Sequence, residues 1–103
     1  MKELEAKVLR NILEYLRLRR ITAWRNNVGR KGGVTFGVKG LPDIIGHYKG
    51  RFLGIEVKRE DGGKMTPEQM AFMYEACDDG CLMVMARGVV DVQVMLDEAD
   101  RCL

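Results

Sequence analysis

Pro42-Asp43, twelve intervening residues, and then Glu56-Val57-Lys58 form the stretch from which the fold is read. The residues between them spell two strands, Asp43 to Tyr48 and Arg51 to Lys58, joined through Lys49-Gly50 as a hairpin. In the second strand Phe52, Gly54, Glu56 and Lys58 fall on one face, and Leu53, Ile55 and Val57 on the other. The apolar face is the core face. Glu56 and Lys58 therefore stand side by side on the opposite face. Hairpin neighbours lie ~5 Å apart, so Asp43 and Glu56 are placed to reach one cation. A hard divalent ion such as Mg²⁺ takes oxygen ligands of this kind. Lys58 is then placed to orient an attacking water or to stabilise charge building on a phosphate. The plainer alternative is a surface strand with a Glu–Lys pair and a turn aspartate after proline, which contributes little.

Upstream, residues 2–19 read as an amphipathic helix. Leu4, Val8, Ile12 and Leu16 recur every four residues, with Leu9 and Leu13 widening the stripe. Arg17, Arg19 and Arg20 suit the negative end of its dipole. Residues 21–28 read as a short strand, with Trp24 read as core in preference to a base-stacking platform. Gly29-Arg30-Lys31-Gly32-Gly33 reads as a mobile basic loop, and Val34 to Val38 as extended chain.

Downstream, Thr66-Pro67-Glu68-Gln69 is a helix start, with threonine as cap, proline at the first position and Gln at the third. Met70, Phe72, Met73, Ala76 and Cys77 form its apolar side, and Gly80 ends it. Cys81 to Ala86 is an unbroken apolar strand, read as central to the sheet. In the last segment Val90, Val92, Val94 and Leu96 alternate as in a strand, while Val92, Met95, Leu96 and Ala99 fit a helix capped by Asp91. The helical reading is taken. The predicted order is helix, three strands, helix, strand, helix: an α/β domain with a small mixed sheet.

A chain of 103 residues fits one domain, residues 1–103. Its 47% hydrophobic and 31% charged content is that of an ordinary globular protein. No apolar run approaches the ~20 residues of a membrane span, and Met1 to Glu5 lacks the apolar stretch of a signal peptide. A cytoplasmic location is expected, with no membrane partner. The three cysteines, Cys77, Cys81 and Cys102, suit neither a disulfide framework nor a four-ligand zinc site, and are read as small buried hydrophobes. Residues 1–64 hold 15 Lys/Arg and 7 Asp/Glu, a balance of +8; residues 65–103 hold 2 and 8, a balance of −6. Such polarity suggests one face for a polyanion.

Three segments together resemble the virus-type replication-repair nuclease (VRR-NUC) family of the PD-(D/E)xK superfamily. They are Gly40-Leu41-Pro42-Asp43-Ile44-Ile45-Gly46, Gly50-Arg51-Phe52-Leu53-Gly54-Ile55-Glu56-Val57-Lys58-Arg59 and Lys64-Met65-Thr66-Pro67-Glu68-Gln69. Trp24-Arg25-Asn26-Asn27 and the glycines after it extend the likeness over nearly the whole chain. The resemblance implies a restriction-endonuclease-like core and a DNA endonuclease dependent on Mg²⁺ or Mn²⁺. It implies Asp43 and Glu56 as metal ligands, the Val57 carbonyl as a further contact, Lys58 as the catalytic lysine and Gln69 as another active-site residue. It also implies a glutamate on the first helix; Glu5 fits best, with Glu3 the competitor and Glu14 too far along. A 5′-phosphate product would follow, as is usual for the superfamily.

Arg25, Asn27, Arg30, Lys31, Lys39 and Lys64 are candidates for phosphate contacts, which position without reading sequence. His47 is a further candidate base, though the superfamily needs none. Phage and bacterial members of the family resemble Holliday-junction resolvases and act as homodimers, so branched DNA and a two-fold dimer are expected. The dimer interface would come from the acidic C-terminal part. Flap cleavage by a eukaryotic relative keeps that substrate open. A DNA-binding module without chemistry is the alternative of a different class, and a restriction-type enzyme would need a recognition segment that so short a chain lacks.

Overall fold

The computed structural model describes residues 3–26, 29–31, 34–36 and 40–102. The apolar stripe of the first helix buries as its spacing dictates: α1 spans Glu3–Leu18, and Val8, Leu9, Ile12 and Leu16 are all buried. Leu4, which continues the stripe on paper, is 52% exposed. The helix ends at Arg20, whose φ of 59° lets Ile21 N–H donate to Leu16 O at 2.9 Å and so occupy a terminal carbonyl.

Among the described residues six strands and two further helices follow: β1 Ala23–Arg25, β2 Gly29–Lys31, β3 Val34–Phe36, β4 Ile44–Tyr48, β5 Arg51–Val57, α2 Pro67–Asp78, β6 Leu82–Ala86 and α3 Val89–Arg101. β4 and β5 form the expected hairpin. Its turn residues Lys49 and Gly50 both have positive φ, 49° and 82°, the geometry that matches strand twist in a two-residue turn. The main sheet has the order β1-β4-β5-β6. β1–β4 and β4–β5 are antiparallel, and β5–β6 is parallel across the α2 crossover. The domain is thus α/β, with three helices and a four-stranded mixed sheet among the described residues.

The core lies on the sheet face of Ile44, Leu53, Ile55, Val57, Leu82 and Ala86, covered by α1 and α3 with Val92, Leu96 and Ala99. α2 rests on β6. Deleting a buried aliphatic of this layer, such as Ile55, would cost about 2–5 kcal/mol.

Four expectations are corrected. The Gly29–Gly33 stretch, expected as a loop, carries β2, which pairs with β3 (Gly29↔Phe36, Arg30↔Thr35, Lys31↔Val34) in a separate two-stranded sheet. Backbone pairing outweighs the glycine content there, and the element order gains two strands. Residues 27–28, 32–33 and 37–39 lie outside the described residues, so the expected end of the 21–28 strand and the extension of β3 to Val38 do too. β6 is an edge strand and not a central one; its continuous apolar character comes from α2 and α3 packing on it. α3 is helical as read, but its cap is Gly88, one turn ahead of Asp91. Asp91 instead accepts from Arg87 N–H at 2.8 Å. The cysteines are not core: Cys77 and Cys102 are exposed and Cys81 half-buried. Among the described residues no helix is long and apolar enough to cross a membrane.

Candidate active site

The hairpin register runs from Tyr48↔Arg51 to Ile44↔Ile55. One further step brings Asp43 opposite Glu56 on the face away from α1. The two carboxylates sit differently. Asp43 Oδ2 accepts from the Val57 backbone N–H at 2.8 Å. Glu56 is only 3% exposed. Burial, then the hydrogen bond and charge of Asp43, push its carboxyl from the ordinary 4.5 up to about 8, with Lys58 partly opposing.

Lys58 Nζ lies 3.5 Å from Glu56 Oε1. It donates to Gln69 Oε1 at 3.3 Å, while Gln69 Nε2 donates to Glu56 Oε1 at 2.8 Å. Gln69 also completes the cap of α2: its Oε1 accepts from Thr66 N–H at 2.8 Å, and its own N–H donates to Thr66 Oγ1 at 3.1 Å. The capping box and the lysine together therefore fix which way the amide points. A residue chosen as a helix signal proves to be bonded to both Glu56 and Lys58.

Glu5 is half-buried on α1. It approaches the site from the side: a Cβ built on Gly63 would lie 3.8 Å from Glu5 Oε1 and 3.6 Å from Lys58 Cδ. Glu5 thus borders Lys58 across the Gly63 backbone. Among the described residues no group of three or more His, Cys, Asp or Glu side chains is close enough to hold a metal ion. The structure brings together Asp43 and Glu56, and leaves Glu5 outside that pair, on the Gly63 side of Lys58. Glu14 is exposed and paired with Arg17 at 2.6 Å, well along the helix. Glu3 begins α1. Asp43 and Glu56 face each other, Lys58 lies beside Glu56, and Glu56 is pushed towards its neutral form. That donor set suits a divalent cation, whose charge would offset the repulsion.

Of the proposed phosphate contacts, Arg25 is exposed on β1 and Lys64 is exposed before α2. The backbones of Arg30 and Lys31 lie in β2. Asn27 and Lys39 lie outside the described residues. His47 is exposed opposite Phe52, four pairs along the hairpin from Asp43. Trp24 corrects the reading of it as a core residue: it is 52% exposed, because β1 is an edge strand. A cleft lined by all three cysteines and Glu98 lies towards the other end of β6, away from the carboxylates.

Two residues with structural claims on the site escaped the sequence reading. Asn26 N–H donates to Asp43 O at 2.7 Å and its Nδ2 to Pro42 O at 3.2 Å, which pins the segment carrying Asp43. Arg87 donates through Nη1 to Arg59 O at 2.9 Å and to Gly62 O, and through Nη2 to Gly63 O at 2.9 Å. It thereby holds the loop that separates Lys58 from Glu5. Asn26 did stand inside a quoted motif. Nothing in sequence marks Arg87, whose reach depends on the parallel β5–β6 pairing.

Comparison with protein-family models, with curated proteins and with solved structures finds no match to this chain.

Proposed function

We propose that this chain is a metal-dependent DNA endonuclease on a PD-(D/E)xK, restriction-endonuclease-like core, of the virus-type replication-repair kind. What supports this reading best is one cluster: Asp43 facing Glu56 across a hairpin, Lys58 two residues on, and Gln69 bonded to both Glu56 and Lys58. A strand needed only for stability or for DNA binding has no use for two repelling carboxylates under a helix.

In this reading Asp43, Glu56 and the Val57 carbonyl hold Mg²⁺ or Mn²⁺, with Glu5 on the α1 side. When bound, the ion supplies a water of lowered pKa and neutralises charge on the scissile phosphate. Asp43 is kept in place by the Val57 N–H and by Asn26. Lys58 Nζ, steadied by Gln69 Oε1, directs its charge at the attacking water or at a phosphate oxygen. Gln69 Nε2 holds the Glu56 carboxylate. The 3′ oxygen leaves, and a 5′-phosphate remains. Arg25, Arg30, Lys31, Lys64, Asn27 and Lys39 supply phosphate contacts.

The substrate we propose is branched DNA, cut at both strands of a four-way junction by a homodimer. The exposed Val90 (67%) and Val94 (50%) on the acidic α3 offer apolar surface for the second copy. Cleavage of a labelled four-way junction, beside flap, splayed-arm and linear duplexes, tests this in Mg²⁺, Mn²⁺ or EDTA, with Lys58→Ala alongside. Paired symmetric nicks that vanish in EDTA and in the variant are expected. Cutting confined to flaps would replace the junction assignment. Retained DNA binding with no metal-dependent cleavage of any substrate would overturn the nuclease reading.

A further inference from the structure

Trp24 is the chain's single tryptophan, and it stands 52% exposed. Aromatic side chains dominate the energetics of cores and interfaces, so an indole this open invites an occupant. Its location is specific. Trp24↔Ile45 and Ile45↔Gly54 form one row across β1, β4 and β5. Side chains of facing residues share a face, and Asp43 and Glu56 lie on that same face two residues further along. With strands ~4.8 Å apart and ~3.4 Å of rise per residue, the Trp24 and Glu56 Cα positions are about 12 Å apart. That is roughly three to four phosphate spacings of a stacked strand at ~3.4 Å each. Next in line on this face come His47, exposed, and Phe52, 37% exposed. α2 rests on β6 at the far edge of the sheet.

The sequence flanking the indole is basic. Residues 15–42 hold seven Lys/Arg and no Asp/Glu. Arg25, next to Trp24, is exposed at the same sheet edge. A polyanion with exposed π faces fits both the charge and the ring. Bases inside a duplex already have both faces stacked; an unpaired base has one free.

We propose that Trp24 is a stacking platform for an unpaired base a few nucleotides from the phosphate held at Asp43 and Glu56, a base opened at the branch point of the substrate. The platform rests on the nuclease reading for its place relative to the cut, but stacking itself can be measured without cleavage.

The single indole is its own reporter. The full chain is titrated in EDTA with a twelve-residue oligodeoxythymidylate and, separately, with a blunt duplex of equal charge, while tryptophan emission is followed. Anisotropy of labelled oligonucleotides gives affinities for the variants. Strong quenching by the single strand and little by the duplex is expected. Trp24→Ala should weaken single-strand binding by roughly ten- to a hundredfold, the range that loss of one base stack produces, with duplex binding little changed. Trp24→Phe should retain most of the affinity. Equal quenching by both nucleic acids, or unchanged single-strand affinity in Trp24→Ala, would overturn the platform. So would a blue shift that grows with protein concentration in the absence of nucleic acid, which would assign the indole to a second copy. Quenching that persists in a protein showing no metal-dependent cleavage would uphold the platform while the nuclease reading fell.

Discussion

Replacing Arg87 by alanine removes three hydrogen bonds from one guanidinium to the carbonyls of Arg59, Gly62 and Gly63. Hydrogen bonds from a charged donor contribute about 1.5–3 kcal/mol each when considered alone. Here they share one side chain, and both loop and guanidinium are only half-buried, so water replaces part of what is lost. The net cost should be about 2–3 kcal/mol. In a domain of this size each kcal/mol lowers the melting midpoint by roughly 4–8 °C, so a fall of about 8–24 °C follows. Arg87→Lys offers a compact ammonium without the planar fork and should recover less than half of that. Circular dichroism melts give the stability, and hydrogen exchange of the amides of residues 59–64 shows where it was lost. If the midpoint moves by less than about 2 °C, or exchange in 59–64 is unchanged, Arg87 does not hold this loop.

Gly46→Ala would drive a Cβ into the Thr22 carbonyl and to within 2.7 Å of Ala23 Cα, both backbone; β1 must move away from β4, at a cost of ~3 kcal/mol or more by urea unfolding, and a neutral result would refute the close approach. Thr66→Ala should cost ~1 kcal/mol and Thr66→Ser much less, since serine still accepts from Gln69 N–H; equal losses would mean the cap is not the cause. The metal-free fold holds a proton on Glu56 up to about 8 that the unfolded chain releases near 4.5. This group therefore favours the fold fully below pH ~4.5, and that contribution fades as pH rises through about 8. In EDTA, wild type should lose stability relative to Glu56→Gln between pH 5 and 9, and a pH-independent difference would contradict the raised value.

The elements that folded as read are those whose local signals agree with their packing. The α1 stripe, the Lys49-Gly50 turn and the Thr66–Gln69 cap each specify a backbone geometry on their own, and tertiary structure keeps it. Asp43, Glu56, Lys58 and Gln69 were legible for the same reason: alternation on β5 and the capping pattern of α2 place them. Trp24 was misread because an aromatic on a short strand looks like core until the sheet order puts that strand at an edge. β6 was misread in the opposite sense, since two covering helices make an edge strand as apolar as a central one. The β2–β3 pairing was hidden by glycines, whose permissiveness says what a backbone can do and not what it does. Asn26 and Arg87 act through carbonyls of distant segments, for which residue type carries no signature.

The Lys49-Gly50 turn acts as a ruler for chemistry performed at the other end of the hairpin. Glu56 stands five residues beyond Arg51, about 17 Å of strand away. Because side chains alternate, adding one residue to the tip would leave the hairpin pairable but bring Val57 or Ile55 to face Asp43. Only equal additions to both strands keep the two acids together. The tip is therefore constrained in count as well as in its positive-φ backbone, and a length change there is a way to silence the site without touching any residue in it.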